Sequence, residues 1–178
     1  NAAGAKLVVF PELCITGYTC GDLFLQKTLL DSAGQAISEI CRETANMDIL
    51  IAVGAPIAVE QKLYNCAVLL YCGAVLAIVP KTNIPNYAEF YEMRHFAPAS
   101  ADVRDIRYHE EIVPFGTNIL IKDRNVTDFV LAVEICEDLW TMNPPSGRHA
   151  AAGATVIANL SASDELIAKE EYRKSLVL

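Results

Sequence analysis

The chain has 178 residues, 53% of them apolar, and its 14 basic and 22 acidic side chains leave a net charge of −8. A domain of this length buries about 70% of the surface its unfolded chain exposes, and the apolar share excludes intrinsic disorder. No stretch concentrates Lys and Arg, so counterion-release binding to nucleic acid is excluded and anionic membrane surfaces are disfavoured; a small molecule or another protein is the expected partner.

Residues 7–10 are a short apolar run ended by Pro11, which predicts a buried strand. Over residues 25–45 apolar side chains fall at 25, 29, 30, 33, 36, 37, 40, 41 and 45, one face of an amphipathic helix. Residues 49–53 are again continuously apolar, as in a strand covered on both faces. Residues 63–71 and 74–79 flank Cys72-Gly73 and predict a hairpin. The longest nearly apolar stretch, 67–79, contains Tyr71, Cys72 and Gly73 and is too short to cross about 30 Å of hydrocarbon. Further strands are predicted at 118–122 and 129–135, then a helix over 146–152 ended by Gly153, then a strand at 155–160. From Asp164 onward the pattern is helical, and the chain stops within it. Hairpins mixed with helical crossovers argue for α/β layers with a mostly buried sheet, one domain and not a whole one.

The six cysteines (14, 20, 41, 66, 72 and 136) lie among apolar residues with no CxxC, and the residues from Asn1 onward do not read as a signal peptide. Reduced thiols in a cytoplasmic protein are expected, and the two sequons at Asn125 and Asn159 are read as chance. His95, His109 and His149 stand in unrelated contexts without metal-ligand spacing, so no metal is expected. Neither GxGxxG nor GxxxxGK[ST] occurs, which leaves a nucleotide site without support.

Ligands of open α/β sheets bind beyond the carboxyl ends of strands. Three reactive side chains stand there: Glu12 after the first strand, Lys81 after the hairpin, and Cys136 after strand 129–135. Each has an ordinary reading alone: loop carboxylate, solvated lysine, small core residue. Their joint placement sets the catalytic reading beside the ordinary one, given strands that run parallel in one sheet. The chemistry is coherent. Glu137 and Asp138 are expected to raise the Cys136 pKa, Lys81 to offset them, and Glu12 to take the thiol proton and return it to a departing amine. Lys81 and a backbone N–H after Cys136 suit the oxyanion of an amide-derived intermediate. Glu89 and Glu92, three apart, read as a solvated acidic face.

The segments LVVFPELCITGY (7–18), IVPKTNIPNYAEFYEMRHF (78–96) and VEICEDLW (133–140) resemble the nitrilase, or carbon–nitrogen hydrolase, superfamily, whose triad is Glu, Lys and Cys. ICEDLW, the Pro-Pro-Ser at 144–146 and AGATVIANLSASDE (152–165) are similar to the glutaminase domains of glutamine-dependent NAD synthetases. The resemblance implies an αββα sandwich, incomplete here, with an N-terminal strand and helix and C-terminal strands missing. It implies Glu12 as general base, Lys81 as oxyanion support, Cys136 as nucleophile and Glu92 as an additional active-site glutamate. It further implies Tyr87, Ser163 and Lys169 as glutamine contacts, with Tyr18 and Glu137 as wall residues. L-Glutamine is the implied substrate, a synthetase domain of the same parent chain the implied partner, and a homo-oligomer is expected. The glutaminase reaction needs no cofactor; ATP and Mg belong to the synthetase domain, absent from this chain. The alternatives are a stand-alone amidase or carbamoylase of the superfamily, or an inactive module that serves assembly.

Overall fold

Apolar runs that alternate with one amphipathic helix dictate a layered molecule, and the computed structural model, which describes residues 4–100 and 102–177, has that form. The elements are β1 (Leu7–Val9), α1 (Lys27–Thr44), β2 (Leu50–Val59), β3 (Lys62–Tyr71), β4 (Ala74–Pro80), β5 (Arg104–Tyr108), β6 (Glu111–Phe115), β7 (Ile121–Lys122), β8 (Val130–Ile135), α2 (Pro145–Ala151), β9 (Val156–Leu160) and α3 (Lys169–Ser175). Short 3-10 helices cover Gly21–Leu25, Glu92–Arg94 and Cys136–Trp140. One sheet has the order β1-β2-β3-β4-β6-β5, the other β7-β8-β9.

The β2–β4 meander is the centre of the larger sheet, and its strands bury both faces, hence their unbroken apolar sequences. Ile37 and Cys41 of α1 close one face over Ile51, Val53, Val68, Leu70 and Ile78. The opposite face, with Leu50, Ala52, Ala67, Leu69 and Val79, packs on Leu131, Val133, Ile135, Ala158 and Leu160 of the smaller sheet. Glu134 points the other way, as strand alternation requires, and its Oε2 accepts the N–H of Ser146 in the first turn of α2. The layers therefore run α1, larger sheet, smaller sheet, α2, which is the expected αββα arrangement.

Several expectations change. β1 and β4 point the same way within the larger sheet, but β8 lies in the smaller one, so the three strands do not share a sheet. Their ends meet across the sandwich instead. β7 is confined to Ile121–Lys122, and α3 starts only at Lys169, after Ala168 takes a left-handed φ of 68°. The β5–β6 hairpin has no counterpart in the sequence reading: with only Ile106, Val113 and Phe115 buried, its pattern is too sparse to register.

Candidate active site

β1 ends at Val9, and the residues that follow, from Pro11 on, fold tightly against β2. A Cβ on Gly54 would lie 2.2 Å from the Leu13 nitrogen and 2.6 Å from the Pro11 oxygen, so only glycine lets this segment sit there. The result is a Glu12 that is 2% exposed. Lys81 follows β4 and is wholly buried, with its backbone N–H donating to Asn65 O at 2.8 Å. Its Nζ donates to Glu12 Oε1 and to Glu92 Oε1, both at 2.7 Å. Asn65, a single amide inside the apolar β3, donates through Nδ2 to Glu12 Oε1 at 2.7 Å and Glu92 Oε2 at 3.3 Å. Tyr18 OH donates to Glu92 Oε1 at 2.7 Å. Five side chains from four segments thus form one buried network of two carboxylates, one ammonium, an amide and a phenol. Glu92 belongs to that network and not to a solvated face.

Cys136 enters from the other sheet. It is the first residue of the 3-10 helix after β8, is 6% exposed, and has a left-handed φ of 43°, an uncommon conformation for a side-chain-bearing residue. Ser161 Oγ donates to its Sγ at 3.3 Å. The Ala162 N–H, one residue after that serine, donates to Glu12 Oε2 at 3.1 Å, so adjacent residues 161 and 162 hold the thiol and the carboxylate. Asn159 Nδ2 lies 3.2 Å from Glu134 Oε1 and 3.5 Å from Cys136 O, holding the turn from behind.

The electrostatics follow from burial. Desolvation works against the Lys81 charge, but Glu12 and Glu92 outweigh it and hold the ammonium above its ordinary 10.5. Burial, then the Glu12 charge, push the Cys136 thiol up to about 11, against a smaller pull from Lys81, Ser161 and Ala162. One expectation is corrected here. Lys81 pulls the thiol down as expected, but what it works against is chiefly burial and then Glu12, not Glu137 and Asp138, whose carboxylates are engaged elsewhere. Glu137 accepts from Tyr87 OH at 2.9 and 3.0 Å, and Asp138 faces Thr82 and Asn83. Burial raises Tyr87 to about 12, helped by that bond to Glu137.

The remaining candidates sit around this centre without joining its hydrogen bonds. Ser163 N–H donates to Ser161 Oγ at 3.2 Å, while its hydroxyl turns to Asp164 O. Lys169 pairs with Asp164 and lies 5.4 Å from the centre of the Trp140 ring. An open groove of about 500 Å³, lined by Trp140, Ser161, Ser163 and Lys174 among others, adjoins Cys136 through Ser161. Among the described residues no group of three His, Cys, Asp or Glu could hold a metal, and all six cysteines are free. Sequence reasoning missed Asn65 and Ser161, and took Asp138 for an acid acting on the thiol where it accepts backbone N–H groups of Thr82, Asn83 and Ile135. The only signal for Asn65 was an amide inside an otherwise apolar strand. The arrangement can hold a neutral thiol beside a carboxylate base and a cation, the parts needed for acyl transfer to sulfur.

Comparison with known proteins follows the same line. The family model described as carbon-nitrogen hydrolase matches residues 1–174. The glutamine-dependent NAD(+) synthetase of Mycobacterium tuberculosis (strain ATCC 25618 / H37Rv) is 44% identical over 97% of this chain and 26% of its own length. The human glutamine-dependent NAD(+) synthetase is 30% identical over 98% of the chain and 26% of its own length. The chain therefore spans about a quarter of these relatives. The crystal structure of a glutamine-dependent NAD(+) synthetase from Cytophaga hutchinsonii matches 99% of the chain and 28% of its own, with a TM-score of 0.85 and 33% identity. An amidase from Nesterenkonia sp. shares the fold over 92% of the chain and 55% of its own, with a TM-score of 0.64 and 22% identity.

Proposed function

The chain belongs to the carbon–nitrogen hydrolase family, and from that premise we propose that it is the glutaminase part of a glutamine-dependent NAD synthetase. The observation that carries the chemistry is the Lys81 ammonium bridging Glu12 and Glu92 at 2.7 Å each, with Glu12 and the Cys136 thiol held by the adjacent residues Ala162 and Ser161. The choice of glutamine is supported by the relatives named above.

In this reading Cys136 rests as a thiol, since its pKa of about 11 leaves little thiolate at neutral pH. Glu12 removes the proton as Sγ attacks the carboxamide carbon, so no free thiolate need accumulate. The oxyanion of the tetrahedral intermediate takes the third N–H of Lys81, the other two being engaged, together with the backbone N–H of Glu137. Glu12 returns the proton to the amide nitrogen, ammonia leaves, and a thioester remains on Cys136. Water, deprotonated by Glu12, hydrolyses it to glutamate and restores the thiol. Glu92, with Tyr18, holds Lys81. Tyr87, Glu137, Lys169 and Ser163, the last in the wall of the open groove, are assigned to the amino acid end of the substrate. The ammonia passes to an adenylated NAD precursor in the synthetase part of the same polypeptide, where ATP and Mg act; glutamine hydrolysis needs neither. A homo-oligomer in the cytoplasm completes the reading. In the full-length protein, Cys136→Ala is expected to abolish ammonia release from glutamine while free ammonia still supports synthesis. Undiminished release from glutamine overturns the assignment.

A further inference from the structure

The thiol and the ammonium–carboxylate network come from different sheets, and the layer between those sheets is apolar. Apolar contact is non-directional and does not by itself fix the two sheets in register to a fraction of an ångström. A directional tie exists at Asp138. Its carboxylate is inside the molecule, the residue being 1% exposed, at the third position of the 3-10 helix that starts with Cys136. Oδ2 accepts the N–H of Ile135 at 3.1 Å, within the turn that presents the thiol. Oδ1 accepts the backbone N–H of Asn83 at 2.8 Å, Asn83 Nδ2 at 2.9 Å and the N–H of Thr82 at 3.2 Å. Thr82 and Asn83 directly follow Lys81. One carboxylate thus gathers four N–H groups, one from the Cys136 turn and three from the Lys81 loop.

We propose that Asp138 is a positioning residue that locks the Cys136 turn to the Lys81 loop and so fixes the distance between the thiol and the Glu12–Lys81 pair. The roles of those three groups rest on the amide-hydrolase reading above, but the lock itself is a geometric claim with a test that needs no substrate. A misplacement of about 1 Å costs on the order of a hundredfold in rate, so the lock governs turnover without touching substrate. An Asn at this position keeps the volume but puts an NH2 group among donors, which removes the tie on one side.

The experiment is a double-mutant cycle in the full-length protein, read by the pH dependence of Cys136 alkylation by iodoacetamide and located by peptide mapping. Glu12→Gln removes the charge that, after burial, does most to raise the thiol, and is expected to speed alkylation at pH 8 severalfold. In the Asp138→Asn background the same change is expected to speed it by less than twofold, because the turn has moved away from Glu12. An equal factor in both backgrounds overturns the proposal. Asn83→Ala, which removes one of the four donors, keeps the test open if Asp138→Asn does not fold: the Glu12→Gln factor is expected to fall by at least half, and an unchanged factor is again fatal. Asp138→Asn is also expected to lower kcat for glutamine about a hundredfold with KM within threefold. A wild-type protein that releases no ammonia from glutamine removes the functional reading, and the thiol cycle then decides the lock alone.

Discussion

Lys81 is enclosed on every side and shares its charge between Glu12 and Glu92, themselves 2% and 5% exposed. A buried ion pair is weak evidence for stability, yet removing one partner strands the other without water. Lys81→Met is therefore expected to destabilise the fold by about 3–5 kcal/mol in urea titration, and the added change Glu92→Gln to recover part of that loss. The pH dependence has a definite sign. A lysine held above 10.5 contributes in full below that value and loses its contribution as pH climbs through its raised pKa; the raised Cys136 thiol behaves likewise between 9.0 and about 11. Stability should thus fall on the alkaline side, beginning near pH 9, and Cys136→Ser should blunt the first part of the fall. Much of this site was legible at the level of single residues. Glu12, Lys81 and Cys136 each follow an apolar run, and strand ends are where sheets expose chemistry. Asn65 and Asp138 were not, because their roles exist only through partners supplied by distant segments.

At the scale of elements, β2 shows how a strand with no reactive side chain shapes the site. Its Gly54 faces the backbone of residues 11–13, with Ile15 N–H also donating to Gly54 O at 3.1 Å. Backbone on the receiving side cannot swing away as a side chain would. Gly54→Ala is expected to cost about 1–3 kcal/mol through overpacking and to shift Glu12. On the proposed function, glutamine hydrolysis by the full-length protein should fall at least tenfold while Cys136, on the other sheet, keeps its place; activity equal to the wild type would refute the argument. The same strand explains what the sequence conveyed about elements. β2, β3 and β4 bury both faces and read as unbroken apolar runs, and α1 buries one stripe and reads at helical period. The β5–β6 hairpin lies at the sheet edge with most of its residues in water, so nothing in Arg104–Tyr108 or Glu111–Phe115 carries a clear period.

At the scale of the whole molecule, two apolar layers of similar depth have different consequences. The layer between α1 and the larger sheet lies on the face of that sheet opposite the one that packs with Cys136; Ile37 lies in it and is wholly buried. The layer between the two sheets holds Leu69, 1% exposed, and includes Cys136 itself. Truncating either residue to alanine opens a cavity and costs about 2–5 kcal/mol, so global stability alone does not distinguish them. Their effects on the thiol do. Loosening the inter-sheet layer hydrates Cys136 and moves it from Glu12, the two influences that hold its pKa near 11, so the thiolate fraction at neutral pH rises. On the proposed mechanism the same motion withdraws the thiol from Glu12, and glutamine hydrolysis falls. Leu69→Ala is expected to raise the iodoacetamide rate of Cys136 at pH 7.5 severalfold and to lower glutamine turnover, two changes in opposite directions. Ile37→Ala, matched to it in stability loss, is expected to leave both within about twofold, since nothing in the outer layer reaches the thiol. Were the two variants to change alkylation and turnover alike, the site would be responding to loss of stability in general, and the dependence on inter-sheet register would have to be abandoned.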